Sequence, residues 1–337
     1  MLNRLIAAAL MLAAAVPAAA GNVTLRFSNW LPPEHYVVTE MIRPWAEDVA
    51  EATDGRVTVE IMQAMAKPEA HFDLVRDGVA DLAFGVHGYT PARFKLTGMA
   101  ELPLLADDAE ANSVAYWRTY QRYFRPANEH EGVKLLSLWT NTPAQIFLRG
   151  GDVAGVGDLS GRKVRVLGAT TGEVAQRLGM TPISAPASQS YELLSRGVID
   201  GTFFQSDSIV SFRLQDYVDT AVTVPGGFAH SSQYLVMNRD KWNAISKADR
   251  EAIEALSGEA MARRFARVWD RKAREARETL RGAGVRFVRL DGDARDRLAE
   301  RLAPVRADWV ETAAERGVDG EAALAYFHDQ IEALNAE

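Results

Sequence analysis

Val23-Thr-Leu-Arg-Phe27, the segment 36–52 with Val37, Met41, Trp45 and Val49 at helical spacing, Asp54-Gly55, and Val57-Thr-Val-Glu-Ile-Met62 follow one another near the start of the chain. Apolar residues alternate with a period of two at both ends and recur every three to four positions between them, which predicts a strand, a helix and a second strand. The Asp-Gly pair stops the helix. Two strands joined through a helix make a β-α-β unit, the building block of a mostly parallel sheet.

Working outward toward the C-terminus, the rhythm continues. A short helix at 68–75, a strand at 81–86, a helix at 109–124 and a strand at 133–139 complete one α/β lobe. It restarts with strands at 146–149 and 162–167, helices at 171–178 and 189–196, and a strand at 199–204, so a second α/β lobe is expected. An internal echo supports the division: Leu74-Val-Arg-Asp-Gly78-Val79-Ala-Asp81 and Leu193-Leu-Ser-Arg-Gly197-Val198-Ile-Asp200 share the pattern L-x-x-x-G-V-x-D. Each reads as a helix end, a glycine cap and an entering strand.

Beyond Ser246, capped in a box-like arrangement with Asp249, lies the longest helical pattern, with Met261, Phe265, Trp269, Ala276 and Leu280 on one stripe as far as Gly282 and Gly284. A helix of that length, at 1.5 Å per residue, extends ~50 Å, which exceeds the width of one such lobe. It is therefore expected to cross both. Its many arginines are interleaved with Glu259, Glu275 and Glu278, which favours a solvated face over a basic partner site. The remainder reads as a strand at 285–290 and a helix at 295–316.

Toward the N-terminus, Arg4, an apolar run from 5 to 16 and Pro17-Ala-Ala-Ala20 before Gly21 have the three regions of a secretory signal peptide, cleaved after Ala20. The run is too short to span a bilayer, which takes roughly 20 residues. The expectation is a periplasmic protein free of the membrane. Removing 20 of 337 residues leaves 317, enough for two lobes with separate cores. The chain has no cysteine, which excludes disulfides, thiolate metal sites and cysteine nucleophiles. Without Arg4 there are 37 Lys and Arg against 45 Asp and Glu, a net charge of −8, and no basic stripe. That balance disfavours nucleic acid as a partner.

No motif for catalysis stands out. G-x-S-x-G, H-E-x-x-H, P-loop and G-x-G-x-x-G patterns are all missing, and the six histidines lack ligand spacing, so neither a metal nor a cofactor is expected. Asp158-Leu-Ser-Gly-Arg-Lys-Val-Arg165-Val166 instead sets a cation inside a strand, with Val164 and Val166 on the opposite face. A buried guanidinium needs an anion, and its planar fork matches a carboxylate. From the residues alone, an internal salt bridge or a solvated strand face is the better reading than a ligand.

Four segments together carry a resemblance: Leu25-Arg-Phe-Ser-Asn-Trp30-Leu-Pro-Pro33, Asp77-Gly78-Val79-Ala80-Asp81, the Asp158 to Val166 stretch, and Arg196-Gly-Val-Ile-Asp200-Gly201. In this order they resemble the dicarboxylate-receptor (DctP-type) solute-binding subunits of tripartite ATP-independent periplasmic (TRAP) transporters, over nearly the whole chain after residue 20. The resemblance implies a two-lobed α/β periplasmic-binding-protein fold with a long helix crossing both lobes. It implies a receptor that closes on a small organic acid, mono- or dicarboxylate, and delivers it to the membrane permease subunits of such a transporter. The family's carboxylate-gripping arginine falls on Arg165.

The resemblance also implies that the segment after the second G-x-x-D contributes a polar or aromatic side chain to the pocket; Phe204, on the same strand face as Thr202, is the expected one, with Phe203 opposite. Trp30 and Asn29 end the first strand, His87 and Tyr89 end the 81–86 strand, and Gln145 precedes the 146–149 strand, all positions where pockets of open α/β sheets form. Relatives specialised for sialic acid carry a second arginine near 143–145, where this chain has Pro143-Ala144-Gln145, which speaks against that ligand. One cation and several aromatic side chains favour a monocarboxylate with an apolar or aromatic body. The expected lobes are 22–142 with 231–270, and 143–230 with 271–337. The alternative is a periplasmic enzyme acting on a small carboxylate.

Overall fold

The structure, a computed structural model, describes residues 22–336 apart from 64 and 152; the expected signal peptide lies outside the described residues. β1 (Val23–Asn29) leads through a π-helical stretch (Val37–Ile42) into α1 (Arg43–Ala52), and Gly55, at φ +74°, turns the chain into β2 (Val57–Gln63). Next come α2 (His71–Arg76), β3 (Leu82–Val86), α3 (Ala109–Thr119) and β4 (Val133–Thr140). The following segment holds β5 (Gln145–Leu148), β6 (Lys163–Val166), α4 (Ala169–Arg177), β7 (Thr181–Ser184), α5 (Ser190–Ser195), β8 (Gly201–Phe204), α6 (Ser206–Ser211) and β9 (Thr220–Thr223). The chain ends through β10 (Ser232–Asn238), α7 (Arg239–Ala244), α8 (Lys247–Ala255), α9 (Gly258–Gly282), β11 (Arg286–Arg289), α10 (Gly292–Glu315) and α11 (Gly320–Asn335).

The strands form two sheets, one for each lobe. The first has the order β2-β1-β3-β10-β4, parallel through β1, β2 and β3, with β10 antiparallel between β3 and β4. The second has the order β11-β9-β5-β8-β6-β7, with β6 parallel to both its neighbours and β5 antiparallel to both of its own. β10 is buried along its whole length, so it lacks the alternation that marks a strand in sequence.

The sequence echo is a structural repeat. In one lobe the Val79 N–H bonds the Leu74 carbonyl at 2.9 Å and Gly78 takes φ +75°; in the other Val198 bonds Leu193 at 2.9 Å and Gly197 takes φ +68°. Both are Schellman caps, in which a left-handed glycine lets the chain reverse off the helix. The two aspartates repeat as well: Asp81 accepts from the backbone N–H of Arg26 at 2.8 Å, and Asp200 from that of Lys163 at 2.8 Å. Each carboxylate fastens an entering strand, β3 or β8, to its parallel neighbour.

The long helical pattern is realised as α8 and α9, bent where Ser257 and Gly258 (φ +61°) interrupt it against Trp117. Met261, Phe265 and Trp269 pack into the first lobe's core with Trp45 and Leu235, while Leu280 enters the second lobe's core beside Phe147 and Leu194. The helix thus crosses both lobes. Its arginines pair locally, Arg263 and Arg267 with Glu110 and Arg271 with Glu40. Exposed pairs of this kind contribute ~0–1 kcal/mol each. The tail, placed with the second lobe from sequence, divides its contacts: α11 lies along α3 of the first lobe, with Tyr326 5.7 Å from Tyr123 and Gln330 bonded to Arg118 at 2.9 Å. The apolar face of that final helix, Leu324, Phe327 and Ile331, finds cover there.

Candidate ligand-binding site

Arg165 projects from β6 between Val164 and Val166, which go into the core on the opposite face, and it is 1% exposed. Its Nε donates to the Ala185 carbonyl at 2.8 Å and its Nη1 to the Phe203 carbonyl at 3.3 Å. Nη2 is buried without a hydrogen-bond partner, and no carboxylate among the described residues pairs with the guanidinium. Burial holds its pKa below the ordinary arginine value, an effect that the nearby Tyr89 opposes. Leaving a charged donor buried and unpaired is costly.

The guanidinium faces a cavity lined mostly by apolar and aromatic side chains with a few polar groups among them, the composition usual for small-molecule sites. One wall is a run of stacked rings: Phe204 lies 4.5 Å from the Arg165 guanidinium carbon, Phe212 is parallel to Phe204 at 5.9 Å, and His35 follows at 5.6 Å. On the first-lobe side, Trp30 stacks on Phe84 at 5.2 Å and meets the edge of Tyr89 at 6.0 Å. Trp269 from α9 closes the same cavity. Cation–π contact with Phe204 replaces part of the lost hydration of Arg165.

Contacts between the lobes hold this arrangement. The Tyr89 hydroxyl accepts from the Ala187 N–H at 3.0 Å, and the Tyr36 hydroxyl donates to Asp207 at 2.6 Å. Burial pushes the Asp207 carboxyl up to about 6, with the Tyr36 hydrogen bond opposing. The histidines of the cavity stay neutral: burial lowers both His35 and His230 to about 4. Among the described residues no cluster of His, Cys, Asp or Glu is arranged to hold a metal ion.

Of the residues expected from sequence, Arg165, Phe204, Trp30 and Tyr89 meet around this cavity. Phe203 borders it too and its carbonyl bonds Arg165, while its side chain packs beside Ile146 and Phe228 in a different core from that of Phe204, as strand alternation had it. Asn29, His87 and Gln145 do not line it. Asn29 is spent on its own turn, bonding Leu31 and Gln63. His87 lies behind the wall between Ser232 at 3.1 Å and His130 at 2.9 Å. Gln145 holds the backbone of Val224 through both ends of its amide. His35, Phe212, His230 and Trp269 belong to the site without having been expected there; only Trp269 had a signal, its place on the apolar stripe of the long helix.

Two α/β lobes closed over a buried, cation-bearing cavity define a solute-binding receptor. The chain belongs to the family described as bacterial extracellular solute-binding protein, family 7 (DctP), whose pattern matches residues 27–312. It is 40% identical to a TRAP periplasmic solute-binding protein of Bordetella bronchiseptica solved with bound (R)- and (S)-mandelate, with a TM-score of 0.90, covering 93% of this chain and 99% of that one. It is 29% identical, with a TM-score of 0.87, to a marine metagenome TRAP solute-binding protein specific for aromatic acid ligands, solved with 3-hydroxybenzoate, covering 93% and 98%. The protein TsaT of Comamonas testosteroni, named an outer membrane transporter protein, is 33% identical over 98% of each chain. The family and these solved structures are receptors for TRAP transporters, and this chain is a solute receptor and not an enzyme. No helix among the described residues is long and apolar enough to cross a membrane.

Proposed function

We propose that this receptor works in the periplasm, after removal of residues 1–20, and captures an organic acid with one carboxylate and an apolar or aromatic body for a TRAP permease. One observation carries the reading: the unpartnered Nη2 of Arg165, buried at the end of a cavity walled by aromatic rings. The carboxylate supplies the missing anion in a bidentate or end-on contact. Phe204, Trp30 and Tyr89 enclose the body, whose burial contributes roughly 25 cal/mol per Å² of apolar area.

A short dicarboxylate or sugar acid fits less well. Arg149 is engaged with the Leu194 carbonyl and His87 lies behind the wall, so neither gives the cavity a second cation. The mandelate and 3-hydroxybenzoate held by relatives support the aromatic class. The lobes we propose break at 142/143 and 230/231, with the terminal helix riding on the first lobe. Closure about these crossings excludes water from the Arg165 contact.

A thermal-shift screen of succinate, malate, sialic acid, pyruvate, benzoate, mandelate and phenylpyruvate tests this. A ligand that binds only the folded state stabilises it by roughly 2.7 kcal/mol at a hundred times its Kd. The expected result is a raised melting temperature with aromatic monocarboxylates. A shift with succinate or malate and none with the aromatic acids would overturn the assignment.

A further inference from the structure

The cavity has a second polar end, and its chemistry differs from the first. His35 is 8% exposed and Trp269 5% exposed; His35 Nε2 and Trp269 Nε1 are buried without a hydrogen-bond partner, and both residues line the cavity. The His35 tautomer follows from its neighbour. The backbone N–H of Val37 donates to Nδ1 at 3.2 Å, so that nitrogen is the acceptor and the neutral ring carries its proton on Nε2. The indole Nε1 is always a donor. Tyr36 sits between the two, 4.6 Å from His35 and edge-on to Trp269 at 5.2 Å, itself anchored to Asp207. These rings are therefore held in place and not free to turn their donors elsewhere.

The position of this end follows from the ring wall. Phe204 and Phe212 stand between the Arg165 guanidinium and His35. A ligand whose carboxylate meets Arg165 and whose ring lies along that wall points its far edge toward His35 and Trp269. Two uncharged N–H donors there, with the Lys272 ammonium over the Tyr36 ring already paired to Glu40 at 2.7 Å, match an oxygen that accepts hydrogen bonds without carrying a full charge. A second carboxylate would be desolvated with nothing to neutralise it.

We infer that His35 and Trp269 form a distal subsite that selects aromatic acids bearing an uncharged oxygen, a hydroxyl, ether or carbonyl, at the end remote from the carboxylate. This rests on the aromatic-acid reading of the same cavity and sharpens it to a subclass. It also divides the labour between lobes: the second lobe supplies the cation, and the first supplies neutral donors, so a ligand with oxygen at both ends ties the two together.

Calorimetric titration of 3- and 4-hydroxybenzoate, benzoate and terephthalate against the wild type, His35→Asn and Trp269→Phe decides it. The asparagine variant keeps an acceptor for the Val37 N–H while removing the distal donor, and the phenylalanine variant keeps the ring. Wild type is expected to bind at least one hydroxybenzoate tenfold or more tighter than benzoate, and terephthalate no tighter than benzoate. Each variant should shrink that preference to under threefold, with hydroxybenzoate affinity falling by more than benzoate affinity. Equal binding of benzoate and both hydroxybenzoates, or a preference that survives both variants, overturns the distal subsite alone. Tighter binding of terephthalate overturns its neutral character. Binding of none of the four sinks the aromatic-acid reading and this inference with it.

Discussion

Gly88 of the first lobe and Gly168 of the second meet backbone to backbone: a Cβ added to Gly168 would lie 2.6 Å from the Gly88 carbonyl oxygen and 3.0 Å from its Cα. Gly168 is extended, at φ −166°, so an alanine there is unstrained in itself and clashes only when the lobes are together. Overpacking of this kind costs ~1–3 kcal/mol, and each 1.4 kcal/mol is about tenfold in affinity. Gly168→Ala should weaken ligand binding roughly tenfold or more while leaving the ligand-free melting temperature unchanged. Small-angle scattering checks the cause: at saturating mandelate the variant should keep a larger radius of gyration than the wild type.

Arg165→Met should abolish acid binding in a folded protein. A hydrogen bond to a charged group contributes ~1.5–3 kcal/mol, more when paired and desolvated. Its removal frees the Ala185 and Phe203 carbonyls but also relieves an unpaired buried charge. These effects oppose each other, so the ligand-free melting point should move by only a few degrees. Wild-type affinity in the variant would falsify the anchoring role.

Tyr89→Phe removes the hydroxyl that accepts from Ala187 across the cleft and lies against Arg165. Loss of such a neutral hydrogen bond costs ~0.5–1.5 kcal/mol. Affinity measured by titration should fall by about two- to tenfold, through faster ligand release, and circular dichroism should be unchanged.

Glu101 supplies a pH signature. Its carboxylate accepts from the Ser232 N–H at 3.0 Å and hydroxyl at 2.7 Å, with no cation paired to it among the described residues, and burial raises its pKa from 4.5 to about 7. The folded state holds this proton more tightly than the unfolded chain. Its contribution to stability is therefore whole below pH 4.5 and is lost as pH rises toward 7. The depressed histidines His35, His130 and His230 act in the opposite sense, adding stability as pH rises toward 6.5. Comparing Glu101→Gln with wild type isolates the carboxyl, since Gln keeps the acceptor. The variant should match wild type near pH 4.5 and gain on it up to pH 7, by at most about 3 kcal/mol. A constant difference across that range in thermal denaturation would remove Glu101 as the source.

How far these features could be read from the sequence depends on whether their cause is local. The β-α-β start, the paired Gly-Val-x-Asp joints and Arg165 are written in spacing and turn chemistry. β10 escaped because burial on both faces erases its alternation, and the four-residue strands β7 and β9 are too short to show any. Strand-end reasoning put Asn29, His87 and Gln145 near the cleft but could not give their side-chain directions. A partner across the sheet claimed each of them: Gln63, His130 or Val224. His35 and His230 enter the cavity through tertiary contacts that no sequence window contains.

The helix α9 lends one stripe of side chains to two hydrophobic interiors, Phe265 and Trp269 at one end and Leu280 at the other. Neither lobe is then a complete folding unit, because each borrows part of its interior from the same rod. Loss of either interior exposes the segment that the other needs. Calorimetry should accordingly record one melting transition for the whole receptor, and a core substitution such as Leu280→Ala in the second lobe should lower the melting temperature of the first by the same amount.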